Sequence, residues 1–217
     1  MARRKKNRWL MKRLLFIMTA VALAAVAQGK KMKVTIDGTL SPGVEKMCLI
    51  INEDTANAQL LDIQDGKFSV TVKVDRNAFI RLQNPKYSPD RYAFVLIPDS
   101  RHITVDSNND RILGSDKSRD LQVVCQQIES NSPENTRIDV FSQDPRAWKE
   151  AKKTSNSLKD GLREGQRMIV RDMLLEDKNN IILAWIAYRY PEVMEGELND
   201  MISSLKPKWI DHPILKK

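Results

Sequence analysis

The stretch DGKFSVTVKV, residues 65–74, decides the fold. Asp65-Gly66 is the strongest short hairpin signal in the chain, because a two-residue turn with positive φ angles tolerates Asp and favours Gly. Behind it Phe68, Val70, Val72 and Val74 alternate with Ser69, Thr71 and Lys73. That period of two predicts a strand with one face in a core and the other in water.

The same rhythm extends in both directions. KVTIDGTL (33–40) alternates and then breaks at Ser41-Pro42-Gly43. KMCLII (46–51) is apolar on both faces, which predicts a central strand covered on both sides. Residues 58–63 lead into the turn. AFIRLQN (78–84), YAFVLIP (92–98) and HITVD (102–106) follow it, the last two joined through Pro98-Asp99-Ser100. About seven short strands separated by turn residues predict an antiparallel β-sandwich or a barrel-like sheet. Parallel pairing needs crossover connections, usually helical, and no helical pattern lies between these strands.

After Asp110 the period changes. In DKSRDLQVVCQQIES, Leu121, Val124, Cys125 and Ile128 share one helical face, and Ser132-Pro133 ends the run. A longer helix carries Trp148, Ala151, Ser155, Leu158, Leu162, Gly165 and Ile169 at steps of three and four. Gly161 and Gly165 each weaken its middle by about 1 kcal/mol. Asn179-Asn180 caps IILAWIAYRY, apolar nearly all round and so expected to be buried, with Trp185, like Trp148, read as core. Pro191 opens a last helix with Met194, Leu198, Met201, Ile202 and Leu205 inward, and Trp209 and Ile210 of the tail dock back. The fold class is therefore α+β, with an antiparallel β domain over 28–112 and a helical subdomain over 113–217.

The 217 residues carry a formal charge of +8, but residues 1–13 hold seven basic side chains and no acid. The remainder is close to neutral and offers no basic footprint for nucleic acid. The basic start precedes LLFIMTAVALAAVA (14–27), shorter than the roughly 20 apolar residues that cross a bilayer. It ends in Ala25-Val26-Ala27, a small-residue exit. This reads as a secretory signal peptide over 1–27, cleaved near Ala27, whether translation starts at Met1 or at Met11. The predicted destination is the periplasm or cell envelope, with contact to a membrane only during export. No cysteine sits at the exit to take a lipid.

Export permits a disulfide, yet the chain has only Cys48 and Cys125 and no CxxC motif. Cys125 sits on the apolar face of its helix and Cys48 in a strand apolar on both sides, so both read as small hydrophobes. The alternative is a redox pair formed by Cys48 and Cys125.

Other chemistry finds little support. Asp106, Asn108 and Asp110 have calcium-loop spacing, but Arg111 and Lys117 stand where glycine and a bidentate acid belong. His102 and His212 are far apart and lack partners at zinc-ligand spacing. No GxSxG, GxxxxGK[ST] or GxGxxG motif occurs. The reading leans against an enzyme and implies no cofactor and no metal. One binding candidate stands out, the loop NPKYSPDRY (84–92), where Tyr87 and Tyr92 lie beside Lys86 and Arg91.

The order KVTIDGTL, LLDIQDGKFSVTVKV, YAFVLIPDSRHITVD, then GSDKSRDLQ opening a helix resembles a β-rich domain of unknown function. That domain precedes thioredoxin-like domains in envelope proteins of Gram-negative bacteria, labelled thiol–disulfide interchange or peroxiredoxin-like. The resemblance covers about residues 32–217, and the chain stops where the redox domain begins in those proteins. It therefore implies a location and a kind of company, such as a separate thiol oxidoreductase, but carries over no catalytic residue. The expected function is an exported non-catalytic binding or accessory module. Its partner is another envelope protein or a small ligand, and the alternative is a thiol-redox active or redox-sensing protein.

Overall fold

The computed structural model describes residues 31–85, 93–135 and 144–216. Eight strands and four α-helices lie within them: β1 Met32–Thr39, β2 Cys48–Ile51, β3 Gln59–Leu60, β4 Lys67–Val74, β5 Ile80–Gln83, β6 Ala93–Leu96, β7 His102–Asp106 and β8 Arg111–Leu113, then α1 Asp116–Ser130, α2 Pro145–Glu176, α3 Ile182–Arg189 and α4 Glu197–Leu205. The strands form two four-stranded sheets, in the orders β4-β1-β7-β8 and β3-β2-β5-β6, rather than one closed barrel.

The Asp65-Gly66 turn is present as read. Both residues have positive φ, 51° and 71°, and Gln64 and Lys67 exchange backbone hydrogen bonds of 2.8 and 2.9 Å across it. Yet β3 and β4 belong to different sheets, so the turn is a corner where the chain passes from one sheet to the other. β4 then pairs antiparallel with β1 over its full length, from Lys67 opposite Thr39 to Val74 opposite Met32.

Two strand expectations need correction. β1 and β7 run parallel, Thr35 through Thr39 against His102 through Asp106. The crossover that parallel pairing requires is supplied by the strands of the other sheet, not by a helix. There is also an eighth strand, β8. Only Ile112 is buried in it, between exposed Arg111 and Leu113, and three residues are too few to display a period.

One core cluster draws on both sheets. Val34, Ile36, Phe68, Val72, Ile103 and Val105 from the first meet Leu49, Ile80, Leu82, Phe94 and Leu96 from the second. At Gly38 the Phe68 ring fills the space a Cβ would occupy, which would lie 1.9 Å from a ring carbon. A second cluster takes Phe79 and Ile97, flanking strands of the second sheet, together with Leu121, Val170, Trp185, Val193 and Trp209 from the helical region. The second sheet is thus covered on both faces, as the composition of KMCLII predicts.

The helices depart from expectation where pattern and packing separate. α2 runs unbroken through Gly161 and Gly165 for 32 residues, about 48 Å. Gly165 has a use: an added Cβ would stand 3.3 Å from Asn131 Oδ1, so α1's exit packs close against it. The buried side chains of α2 all lie in its C-terminal half, at Gln166, Val170 and Leu174. Trp148, read as core, is 54% exposed, because a helical period identifies a face without identifying what covers it. Trp185 is buried. Beyond Pro191 the expected single helix is a 3-10 turn over Pro191–Met194, then α4, separated at Gly196 with φ 69°. In the tail Trp209 docks and Ile214 is fully buried, while Ile210 stays exposed.

Candidate functional site

α1 lies against β6 and β8, which are edge strands of the two sheets, and so spans the gap between them. Its start is fixed by serines. Ser115 Oγ accepts from Ser118 N at 3.1 Å as an N-cap and donates to Ile97 O at 3.1 Å, while Ile97 N donates to Ser118 Oγ at 2.8 Å. Its end is held by Gln166 Nε2 of α2, which donates to Ile128 O at 2.9 Å. Between these anchors α1 roofs a cleft of about 570 Å³. That size lies within the roughly 300–1,000 Å³ typical of small-molecule sites.

The cleft is lined by apolar and polar groups in similar measure. Leu40, Val44 and Met47 enter from the β1–β2 connection, and Phe94, Ile112 and Leu121 from β6, β8 and α1. The polar lining comprises buried Asn84 together with Asp110, Gln122, Gln126 and Glu129. Several of these groups are already engaged. Ser41 and Ser107, both in the lining, are joined by Ser41 N to Ser107 Oγ at 2.6 Å and Ser41 Oγ to Ser107 O at 3.0 Å. Gln122 Nε2 donates to Asp110 O at 3.1 Å. The Gln126 carboxamide, by contrast, makes no hydrogen bond among the described residues.

Cys125 is part of this lining, half-buried beside Tyr190, Trp185 and Glu129. Tyr190 Oη donates to Glu129 Oε1 at 2.7 Å, and Arg189 lies over the Tyr190 ring at 5.5 Å. Burial pushes the Cys125 thiol from 9.0 up to about 11, only partly offset by hydrogen bonding to Tyr190. Burial, with Cys125 adding to it, also raises Tyr190 far above the ordinary phenol range. Cys125 is therefore a protonated thiol at neutral pH, a poor nucleophile. Both Cys48 and Cys125 are free.

The remaining sequence candidates do not assemble into chemistry. The Asp106 carboxylate is used within its own turn, accepting from Asn109 Nδ2 at 2.7 Å and Asn108 N at 3.0 Å, and the Asn109 bond leads in lowering its pKa. His102 is exposed and its Nε2 meets Asp37 at 3.0 Å, with no serine hydroxyl on the ring among the described residues. His212 is buried in the tail: Nε2 meets Asn77 O at 2.7 Å and Nδ1 accepts from Ile214 N at 3.2 Å, so both nitrogens serve the fold. Lys86, Tyr87, Arg91 and Tyr92 lie outside the described residues, as do residues 1–30, where the sequence suggests a signal peptide. Among the described residues no three His, Cys, Asp or Glu side chains are placed to hold a metal ion, and no helix is long and apolar enough to cross a membrane.

Sequence reasoning missed two things. The cleft is contributed by segments scattered from Leu40 to Glu129, and although Asn84, Asp110, Leu121 and Cys125 had each drawn notice, nothing in the sequence brought them together. The other is a buried ion pair on the helix-facing side of the second sheet. Arg81 grips Glu53 with two bonds of 2.7 Å and also donates to Gln83, with both charged side chains under a tenth exposed. Glu53 reaches it from a tight turn in which Asn52 and Glu53 both have positive φ, and Asn52 exchanges hydrogen bonds with Phe79.

No protein-family model, no curated protein and no solved structure matches this chain.

Proposed function

We propose that this protein is a non-catalytic binding or accessory module of the cell envelope, exported by its leader, whose two sheets act as a β-sandwich scaffold for the cleft under α1. The observation that carries the reading is the cleft itself. It offers about 570 Å³ lined by apolar and polar groups in similar measure. Among its described lining residues the Cys125 thiol is kept protonated by burial, and the Ser41 and Ser107 hydroxyls are hydrogen-bonded in joining their two segments, with no histidine in the lining. Apolar walls with a few convergent polar groups are what binding a small ligand or a partner's side chain requires. Turnover needs an activated nucleophile or a positioned acid–base pair, and neither His102 nor His212 supplies one.

The test uses a neutral apolar dye such as Nile red, whose fluorescence rises on leaving water. The protein is expected to bind it saturably at one site. Gln126→Trp, placed at an exposed position on the cleft's rim, should abolish that site while leaving the unfolding midpoint unchanged. Saturable binding that Gln126→Trp leaves intact would move the site elsewhere and defeat the reading.

A further inference from the structure

The cleft suits a small ligand or a side chain, whereas the edge of the first sheet suits a partner's main chain. β4 ends that sheet, pairing with β1 alone, and runs in continuous antiparallel register without bulge or proline. Thr35 N donates to Arg101 O at 2.9 Å, which turns the backbone groups of Thr35 toward β7 and those of Val34, Ile36 and Gly38 toward β4. Their partners Val72, Val70 and Phe68 therefore face the ladder, and Ser69, Thr71 and Lys73 aim their N–H and C=O groups outward. Among the described residues nothing bonds these outward groups. Gln64 covers Lys67 in the preceding turn, so the open edge runs from Ser69 to Lys73.

The side chains at this edge indicate its occupant. Lys73 lies directly opposite Lys33 on the exposed face, in a non-hydrogen-bonded pair, where Cα atoms stand about 4.5 Å apart and side chains are closest. Like charges so placed destabilise a sheet, and neither ammonium makes an ion pair among the described residues, even with exposed Asp75 beyond the strand's end. We propose that β4 receives an extended segment of a partner protein as a fifth strand of this sheet, with an acidic side chain of that segment beside Lys73 and Lys33. Hydrogen bonds to Ser69, Thr71 and Lys73 supply the pairing, and the acid supplies selectivity. Alternate residues of the segment point to the other side, where half-buried Val70 packs on the core. A second copy is a poor occupant. With β4 antiparallel to itself and like faces aligned, every register that joins the open edges sets Lys73 opposite or diagonal to Lys67 or Lys73 of the copy. The lysines thus discourage self-pairing while attracting an acidic strand.

The experiment is an amide ¹H–¹⁵N titration of the full protein at low salt with three end-capped peptides, TVEVEVT, TVQVQVT and TVKVKVT, which differ only on one face. Ser69, Thr71 and Lys73 should shift with the glutamate peptide. It should bind roughly fivefold tighter than the glutamine peptide, the scale of exposed ion pairs, and the lysine peptide should bind weakest. The glutamate preference should shrink at high salt. Lys73→Glu, a change on the exposed face, should reverse the order of the glutamate and lysine peptides. Thr71→Pro deletes an outward N–H and leaves the β1 ladder whole, as proline on an edge strand can, and should weaken all three at least about fivefold. A glutamate peptide methylated at every backbone nitrogen makes the same cut from the partner's side, whether or not Thr71→Pro folds. Absence of shifts at the open edge, or glutamate-peptide binding that survives that methylation, overturns strand addition. A glutamine peptide as tight as the glutamate one, or an order unmoved by Lys73→Glu, overturns the acidic partner. A protein that sediments as a dimer, with the Ser69, Thr71 and Lys73 amides protected from exchange before any peptide is added, gives the edge to a second copy and overturns the proposal too.

Discussion

Cys125 is the most informative single group to perturb, because one titration separates a packed thiol from a working one. Burial moves it from 9.0 to about 11. At pH 8 an unshifted thiol is about one-tenth thiolate, and a thiol at 11 about one-thousandth. Native alkylation should therefore run roughly a hundredfold slower than in the unfolded chain. With Cys48→Ser removing the other thiol, iodoacetamide incorporation followed by mass spectrometry from pH 7.5 to 11.5 gives both rate and midpoint. Steric shielding by Tyr190 and Trp185 lowers the rate at every pH without moving the midpoint, so the midpoint carries the test. A native midpoint at or below 9 would refute the argument and revive redox chemistry at Cys125. The same shift sets a stability trend. A thiol raised in the folded state stabilises fully below pH 9.0 and loses that contribution as pH climbs through about 11, a change of at most about 3 kcal/mol. Cys125→Ala should flatten that part of the pH–stability curve.

Three other outcomes follow from the packing. Glu53→Ala leaves buried Arg81 without its carboxylate and should cost about 3–5 kcal/mol in urea unfolding, whereas a paired Glu53→Leu, Arg81→Met change should recover most of it; a loss under 1 kcal/mol would show the pair to be solvated. Gly38→Ala must displace the Phe68 ring and should cost about 2–3 kcal/mol, partly restored by Phe68→Leu, and a neutral result would mean that β1 and Phe68 do not meet as described. Burial lowers the pKa of His212, so its contribution is present above its unfolded value of 6.5 and lost as pH falls through the lower folded value. His212→Gln should weaken that acid dependence, measured as the thermal midpoint between pH 7 and 4.5, and an unchanged profile would place the acid-sensitive group elsewhere.

What the sequence revealed depended on whether the physical cause was local. The Asp65-Gly66 turn and the alternation through Val74 are each written within a few residues, and each appears where it was read. Pairings over long distances were not legible. Nothing in HITVD announces that β7 lies parallel to β1 some 65 residues earlier. Arg81 and Gln83 occupy the polar phase of their strand, which reads as a wet face, but the helical layer covers that face and Glu53 neutralises Arg81. Trp148 failed in the opposite sense: its helical spacing suggested a core position, yet the side chain is 54% exposed. The cleft as a unit had no sequence signal because its walls converge only after the two sheets and α1 are assembled.

The central claim is that the space under α1 is where this protein binds. The most direct test is the amide ¹H–¹⁵N spectrum of the purified protein during titration with 2-phenylethanol, a neutral compound that assumes nothing about charge. Shifts should concentrate on the cleft-facing residues of α1, from Leu121 to Glu129, on Asn84 and on the stretch from Ser107 to Ile112. Shifts confined to the outer face of β4, at Lys67, Ser69, Thr71 and Lys73, or no saturable shift at all, would contradict it.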